Sequence, residues 1–228
     1  MSAGELRKLG GRVALVLALS AGFVVAGPAR AEEATDAGAS AREKLEGSKL
    51  DAALGEISRA RKDVKTLRAA FTQERRITLL ATSVKSRGEL TFAAPERLRW
   101  DLAPPDDIVY FVGPEGLSYK TKSSSATVPA SGANVARALG DLRALLTGDL
   151  GALRERYVLS GSRSAADVEI AGTAKDKAAS VKAFTLVLEK GLVHPIRARL
   201  VEGKNDSIEL TFSNVVVNGP VDAARLRP

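Results

Sequence analysis

The spacing of hydrophobic positions changes several times along this chain. From Leu50 to Arg61 (LDAALGEISRAR), Leu50, Leu54 and Ile57 recur at helical spacing, which predicts a short amphipathic helix. From Leu67 to Arg75 the period falls to two, with Leu67, Ala69 and Phe71 alternating with more polar positions. The same alternation puts Leu90 and Phe92 on one face of a strand over Val84–Ala93. In Arg97–Leu102 it puts Leu98, Trp100 and Leu102 on one face and Arg97, Arg99 and Asp101 on the other. Pro104-Pro105-Asp106-Asp107 and Gly113-Pro114-Glu115-Gly116 read as turns, because proline removes a ladder donor and these residues favour turn backbone. Between them Ile108–Gly113 is apolar throughout and predicts a buried strand whose inward parity the pattern leaves open. Leu117–Lys122 completes a five-strand antiparallel meander with short connections.

The middle of the chain returns to helical spacing. In Ser131–Leu146, Val135, Leu139, Leu142 and Leu146 form one apolar stripe, and Ser131 or Asn134 could cap the start. A second short helix is expected over Leu150–Arg156. Strands then resume at Tyr157–Ser160, Asp167–Gly172, Val181–Glu189, Pro195–Glu202 and Ser207–Val217. The fold class this order predicts is mainly β (α+β). A strongly curved antiparallel sheet forms an open or half β-barrel, covered by a helical lid because an uncovered apolar face would be an exposed patch.

The ends and the composition narrow the setting. Arg7, Lys8 and Arg12 precede an apolar run over Val13–Val25 and an A-x-A site at Ala29-Arg30-Ala31, the signature of a secretory signal peptide cleaved after Ala31. Residues 32–48 read as a flexible leader and residues 49–228 as one domain. The chain has no cysteine, which excludes disulfides, a thiolate nucleophile and an N-terminal lipid-anchored Cys. After Ala31 the chain keeps 30 of the 34 basic and 26 of the 27 acidic residues, a net charge of +4. That is too mild for a nucleic-acid-binding stripe. The expectation is a soluble monomer outside the inner membrane, in the periplasm.

Catalytic signatures are missing. The single histidine, His194, precedes Pro195 and reads as a strand-end surface residue, and no G-x-S-x-G accompanies it. Asp106-Asp107 reads as a solvated turn, and neither a P-loop nor a G-x-G-x-x-G occurs. These features predict a protein that is not an enzyme and uses no cofactor. Periodicity alone leaves two uses for the apolar faces: a cavity that holds something greasy, or a filled core.

Several short motifs, in order, resemble a known family. Phe71-x-Gln73 is followed by Gly88-Glu89-Leu90-Thr91-Phe92, then by Pro95-Glu96-Arg97-Leu98-Arg99-Trp100. Pro105, Val109, Glu115-Gly116 and Tyr119 follow, then Leu145-Leu146-Thr147-Gly148-Asp149. Ile208, Leu210, Phe212, Asn214 and Asn218 lead to Pro220-Val221-Asp222. Together, over Leu50–Pro228, they resemble the periplasmic outer-membrane lipoprotein carriers of the LolA type. The resemblance implies an eleven-stranded unclosed barrel with a helical lid. It also implies a shuttle that takes lipoproteins by their acyl chains from an inner-membrane ABC transporter to an outer-membrane acceptor. A related alternative is a carrier or sensor of another lipid or amphiphile.

On this reading the apolar pocket comprises Phe71, Leu90, Phe92, Leu98, Trp100, Val109, Phe111 and Tyr119. Val135, Leu139, Leu142 and Leu146 face it as the lid. Many members of the family place a basic residue before the proline of the P-x-x-x-x-W run, where it fastens the lid. Here that position is Ala94, which leaves Arg97 or Arg99 as the lid contact, or as a solvated strand face.

Overall fold

The computed structural model describes residues 42–78, 82–129, 141, 143–203 and 206–228. The signal and most of the leader, and Val135, Leu139 and Leu142 of the lid stripe, lie outside the described residues. Among the described residues, twelve antiparallel strands form a single sheet. They are β1 (Glu43–Leu45), β2 (Thr66–Ile77), β3 (Thr82–Ala93), β4 (Arg97–Leu102), β5 (Ile108–Gly113), β6 (Gly116–Lys120), β7 (Ser125–Pro129), β8 (Tyr157–Arg163), β9 (Asp167–Ala174), β10 (Val181–Glu189), β11 (Pro195–Glu202) and β12 (Asp206–Val217). Their order across the sheet is β1-β8-β9-β10-β11-β12-β2-β3-β4-β5-β6-β7, so β1 and β7 are its two edges and the barrel is open. Helix α1 (Gly47–Arg61) buries Leu50, Ala53, Leu54 and Ile57, the stripe its spacing marks.

The register explains the alternation. Leu90 lies opposite Trp100, Phe92 opposite Leu98, and Trp100 opposite Tyr110, so these side chains share the concave face. Two apolar clusters fill that face. One joins α1 to Val168, Ile170, Phe184, Leu186 and Leu188 of β9 and β10. The other joins Leu67, Phe71, Leu90, Phe92, Leu98 and Trp100 to Ile208 and Leu210 of β12. Ala198 and Leu200 of β11 pack against both.

Two boundaries differ from the sequence expectation. The leader does not run to residue 48: β1 pairs with β8, from Glu43 opposite Arg163 to Leu45 opposite Gly161, and α1 starts at Gly47. Leu45 is buried in the α1 cluster, which gives this polar-looking stretch one apolar anchor. A sixth strand, β7, continues the first meander. With β1 it brings the sheet to twelve strands among the described residues, where the resemblance implies eleven.

The chain after β12 folds back. Asn218, at φ 56°, accepts from Lys65 N–H at 2.7 Å and donates to Asp63 carbonyl at 3.0 Å, clamping the end of β12 to the link between α1 and β2. Asp222 then accepts from Ala224 N–H at 2.9 Å and caps a 3-10 turn over Ala223–Leu226. That turn packs on β4. Leu226 is buried, and Arg225 carbonyl accepts from Arg99 Nη1 at 3.0 Å.

Gly88 carries the tightest backbone approach in the sheet. A Cβ there would stand 1.8 Å from the Asp101 carbonyl oxygen and 2.8 Å from Phe71 Cζ. Gly88→Ala is expected to cost about 3 kcal/mol or more in urea unfolding, because the obstructing atom is backbone. Gly151→Ala, whose Cβ meets nothing within 4 Å, is expected to stay within about 0.5 kcal/mol of the unsubstituted protein.

Candidate functional site: an apolar cavity under a buried arginine

Between the two clusters lies a narrow cavity with about 80 Å³ of free volume. Leu67, Leu90 and Trp100 form one wall, Phe184, Leu186 and Leu188 another, and Ile208, Leu210 and Phe212 of β12 complete the floor. Leu145 and Leu146 cover it. Besides the Trp100 indole N–H, among the described residues only Arg61, Gln73 and Thr185 add polar side-chain groups to the lining.

Residues 143–147 are helical and bridge the halves of the molecule. Ala144 joins the α1 cluster, Leu145 packs against that cluster, and Leu146 packs against the other. Asp141, just before, accepts from Arg156 Nε at 2.8 Å and from the Tyr157 hydroxyl at 3.0 Å. Burial, then the Asp141 charge, raises the Tyr157 hydroxyl pKa well above its usual value.

Arg61, the last residue of α1, closes the seam. Its side chain is buried, with one Nη donating to Val193 carbonyl in the β10–β11 turn and the other to Leu146 carbonyl in the covering helix. Burial lowers its pKa to about 10, so the guanidinium stays charged at neutral pH. Gly148 makes room for it. At φ +82° it ends the helix, and a Cβ there would stand 2.8 Å from Arg61 Cδ. The Leu145-Leu146-Thr147-Gly148-Asp149 motif therefore supplies two cavity-covering leucines and a glycine fitted to the arginine.

The expected pocket residues separate into three groups. Leu90 and Trp100 line the cavity. Phe71, Phe92, Leu98 and Tyr119 belong to the same apolar cluster or pack on it, and the Phe71 ring lies 4.4 Å from that of Trp100. Val109 and Phe111 do not face the cavity, because they pair with Asp101 and Arg99 on the outer face. Phe111 is nonetheless buried, with the Arg99 guanidinium 5.3 Å from its ring centroid. Strand β5 is thus covered on both faces, which is why its pattern does not alternate.

Arg97 and Arg99 are not lid contacts among the described residues. Arg97 pairs with Glu115 at 3.3 Å, and Arg99 grips Asp101 through Nε and Nη2 at 2.8 and 2.6 Å. Of the lid stripe, Leu146 does cover the cavity, while Val135, Leu139 and Leu142 lie outside the described residues. The sequence reading missed the β10 and β12 walls, although Phe184, Leu186 and Leu188 alternate as plainly as Leu98 and Trp100. It also missed Arg61, which no local pattern distinguishes from a solvated helix end.

The open curved sheet around this apolar cavity defines a lipid- or lipoprotein-carrier fold. A family model for outer membrane lipoprotein carrier protein LolA matches residues 62–227, and the chain belongs to that family. Among solved structures it is similar to a LolA superfamily protein from Nitrosomonas europaea, at 12% identity over 75% of this chain and 94% of that chain, TM-score 0.41. It is similar to the Mycobacterium tuberculosis lipoprotein LppX at 20% identity over 75% and 98% of the two chains, TM-score 0.43. An uncharacterized conserved protein from Thermus thermophilus is similar at 10% identity over 78% and 93%, TM-score 0.47. No curated protein matches the chain. Among the described residues no helix is long and apolar enough to cross a membrane, and no cluster of His, Cys, Asp or Glu could hold a metal.

At the end of β11, Glu202 is buried, and desolvation raises its pKa to about 7 despite the nearby Arg75 charge. Its folded pKa exceeds the unfolded carboxylate value, so the folded state binds more protons between roughly pH 4.5 and 7. Stability from this group is complete below that window and is lost as pH rises through it. Glu202→Gln is expected to flatten the stability–pH curve there and to raise stability at pH 8 by on the order of 3 kcal/mol, measured by urea unfolding at a series of pH values.

Proposed function

We propose that this protein is a soluble periplasmic carrier that hides the acyl chains of lipoproteins in its cavity and shuttles them from the inner to the outer membrane. The observation that carries the reading is the cavity wall, which is largely aliphatic and aromatic yet leaves about 80 Å³ unfilled. Interiors of ordinary cores pack to crystal-like density. A free volume lined by leucines suits cargo that sheds water at about 0.8 kcal/mol per buried CH₂. Several long chains then amount to tens of kcal/mol, which no lipoprotein can forgo while crossing an aqueous gap.

The volume also implies movement. Pockets that hold drug-sized ligands span roughly 300–1,000 Å³, and acyl chains need no less. The described state is therefore closed, and the seam held by Arg61 must part for loading. Donor and recipient are, on this reading, an inner-membrane ABC transporter and an outer-membrane acceptor, and the signal over residues 1–31 supplies export.

The test adds residues 32–228 to spheroplasts making labelled lipoproteins. The expected result is labelled lipoprotein in the soluble fraction, bound to the protein and dependent on the transporter. A matched Leu200→Glu variant, which puts a charge in the cavity wall, should release at least tenfold less while remaining folded. Folded protein that releases no lipoprotein would refute the cargo, and mass spectrometry of copurified lipid would then identify another amphiphile or an empty core.

A further inference from the structure

A cavity meant for hydrocarbon alone needs no hydrogen-bonding groups, yet three buried polar atoms in this wall find no partner among the described residues. They are the indole N–H of Trp100, the Nε–H of Arg61 and the side-chain oxygen of Gln73. The three residues are 4%, 3% and 4% exposed. Arg61 has a structural occupation through its two Nη groups. The Trp100 N–H and the Gln73 oxygen have none among the described residues.

None of their described neighbours pairs with them. Across the ladder Trp100 faces Leu90 on one side and Tyr110 on the other, and its ring packs on Phe71. Gln73 lies between Leu210 and Ser86, and the Ser86 hydroxyl is already given to Asp106 at 2.6 Å. Leucine at 73 and phenylalanine at 100 would fill similar space without leaving a buried polar atom unpaired, which is a destabilising condition. The pair comprises one donor and one acceptor, set on adjoining parts of the floor: Gln73 follows Phe71 on the same face of β2, and Phe71 touches Trp100.

We propose that Trp100 and Gln73 form a polar subsite in the cavity wall that recognises the amide linkage of an N-acyl chain. The Trp100 N–H donates to the carbonyl oxygen of the linkage, and Gln73 oxygen accepts from its N–H. An ester offers the carbonyl but no N–H, so it satisfies Trp100 and leaves Gln73 unpaired. A bare hydrocarbon satisfies neither. This inference rests on the carrier reading and adds to it a linkage preference. Arg61 Nε remains as a donor for a further carbonyl.

The test uses the whole chain from residue 32 and three probes of equal chain length: N-methyldodecanamide, methyl dodecanoate and tetradecane. Binding is read by calorimetry. Comparing probe ratios between variants cancels the different hydration of the probes. In Gln73→Leu the amide-to-ester affinity ratio is expected to fall about tenfold, with ester binding nearly unchanged. In Trp100→Phe both carbonyl probes are expected to weaken about five- to tenfold while tetradecane is unaffected. Both variants should unfold at equal or higher urea concentration, the opposite of what a structural hydrogen-bonding role would give. Unchanged ratios in folded variants that still bind all three probes would overturn the linkage preference and leave the carrier reading standing. Failure of the unsubstituted protein to bind any probe would overturn both. Should a variant not fold, the carbonyl stretch of ¹³C-labelled amide bound to the unsubstituted protein decides: a hydrogen-bonded frequency supports the subsite, and a frequency matching the probe in alkane overturns it.

Discussion

A single buried guanidinium holds this structure closed. Arg61 commits its two Nη groups to backbone carbonyls of two elements far apart in sequence, Leu146 in the covering helix and Val193 in the β10–β11 turn. Among the described residues no carboxylate compensates its charge, and burial accounts for its lowered pKa. Carbonyl dipoles are weaker partners than an acid, so the contact stabilises the closed arrangement without the deep minimum of a buried ion pair. Such a latch suits a seam that opens and closes. It also fixes its surroundings: α1 must end at Arg61, and residue 148 must be a glycine with positive φ.

The curvature of the sheet creates what the latch closes. Strands β8 to β11 turn their concave face to α1, and strands β12 and β2 to β5 form a second apolar surface. Helix α1 belongs to the first cluster alone, so the two surfaces meet without full interdigitation and the cavity lies between them. On the outside, Arg99 covers Phe111 of β5, and the C-terminal turn packs on β4. Strand β5 is therefore covered on both faces, and the seam that Arg61 bridges lies between α1, the covering helix and the β10–β11 turn.

Much of this was legible in the sequence, and the failures have physical causes. Strands such as Arg97–Leu102 have one wet and one dry face, so alternation named Leu98, Trp100 and Leu102 correctly. Ile108–Gly113 is dry on both faces, so Val109 and Phe111 were assigned inward although the register of Trp100 with Tyr110 turns them out. Leu45 is one apolar residue in a polar stretch, too little to announce β1. Arg61 looks like any arginine at a helix C-terminus, where a favourable dipole and solvent would explain it. Its burial depends on Leu146 and Val193, 85 and 132 residues away. Gln73 was visible as part of a motif, but only the cavity around it shows that its oxygen lacks a partner among the described residues.

On the proposed function, cargo enters by parting the seam Arg61 bridges. Spin labels at the exposed positions Arg143 and Lys190 report on its two sides. Pulsed electron–electron distance measurement on the protein, with and without saturating N-methyldodecanamide, tests the claim most directly. Loading is expected to move the distance distribution to longer values, and Arg61→Met is expected to populate the longer distances without ligand. An unchanged distribution in protein shown by calorimetry to be loaded would contradict the claim.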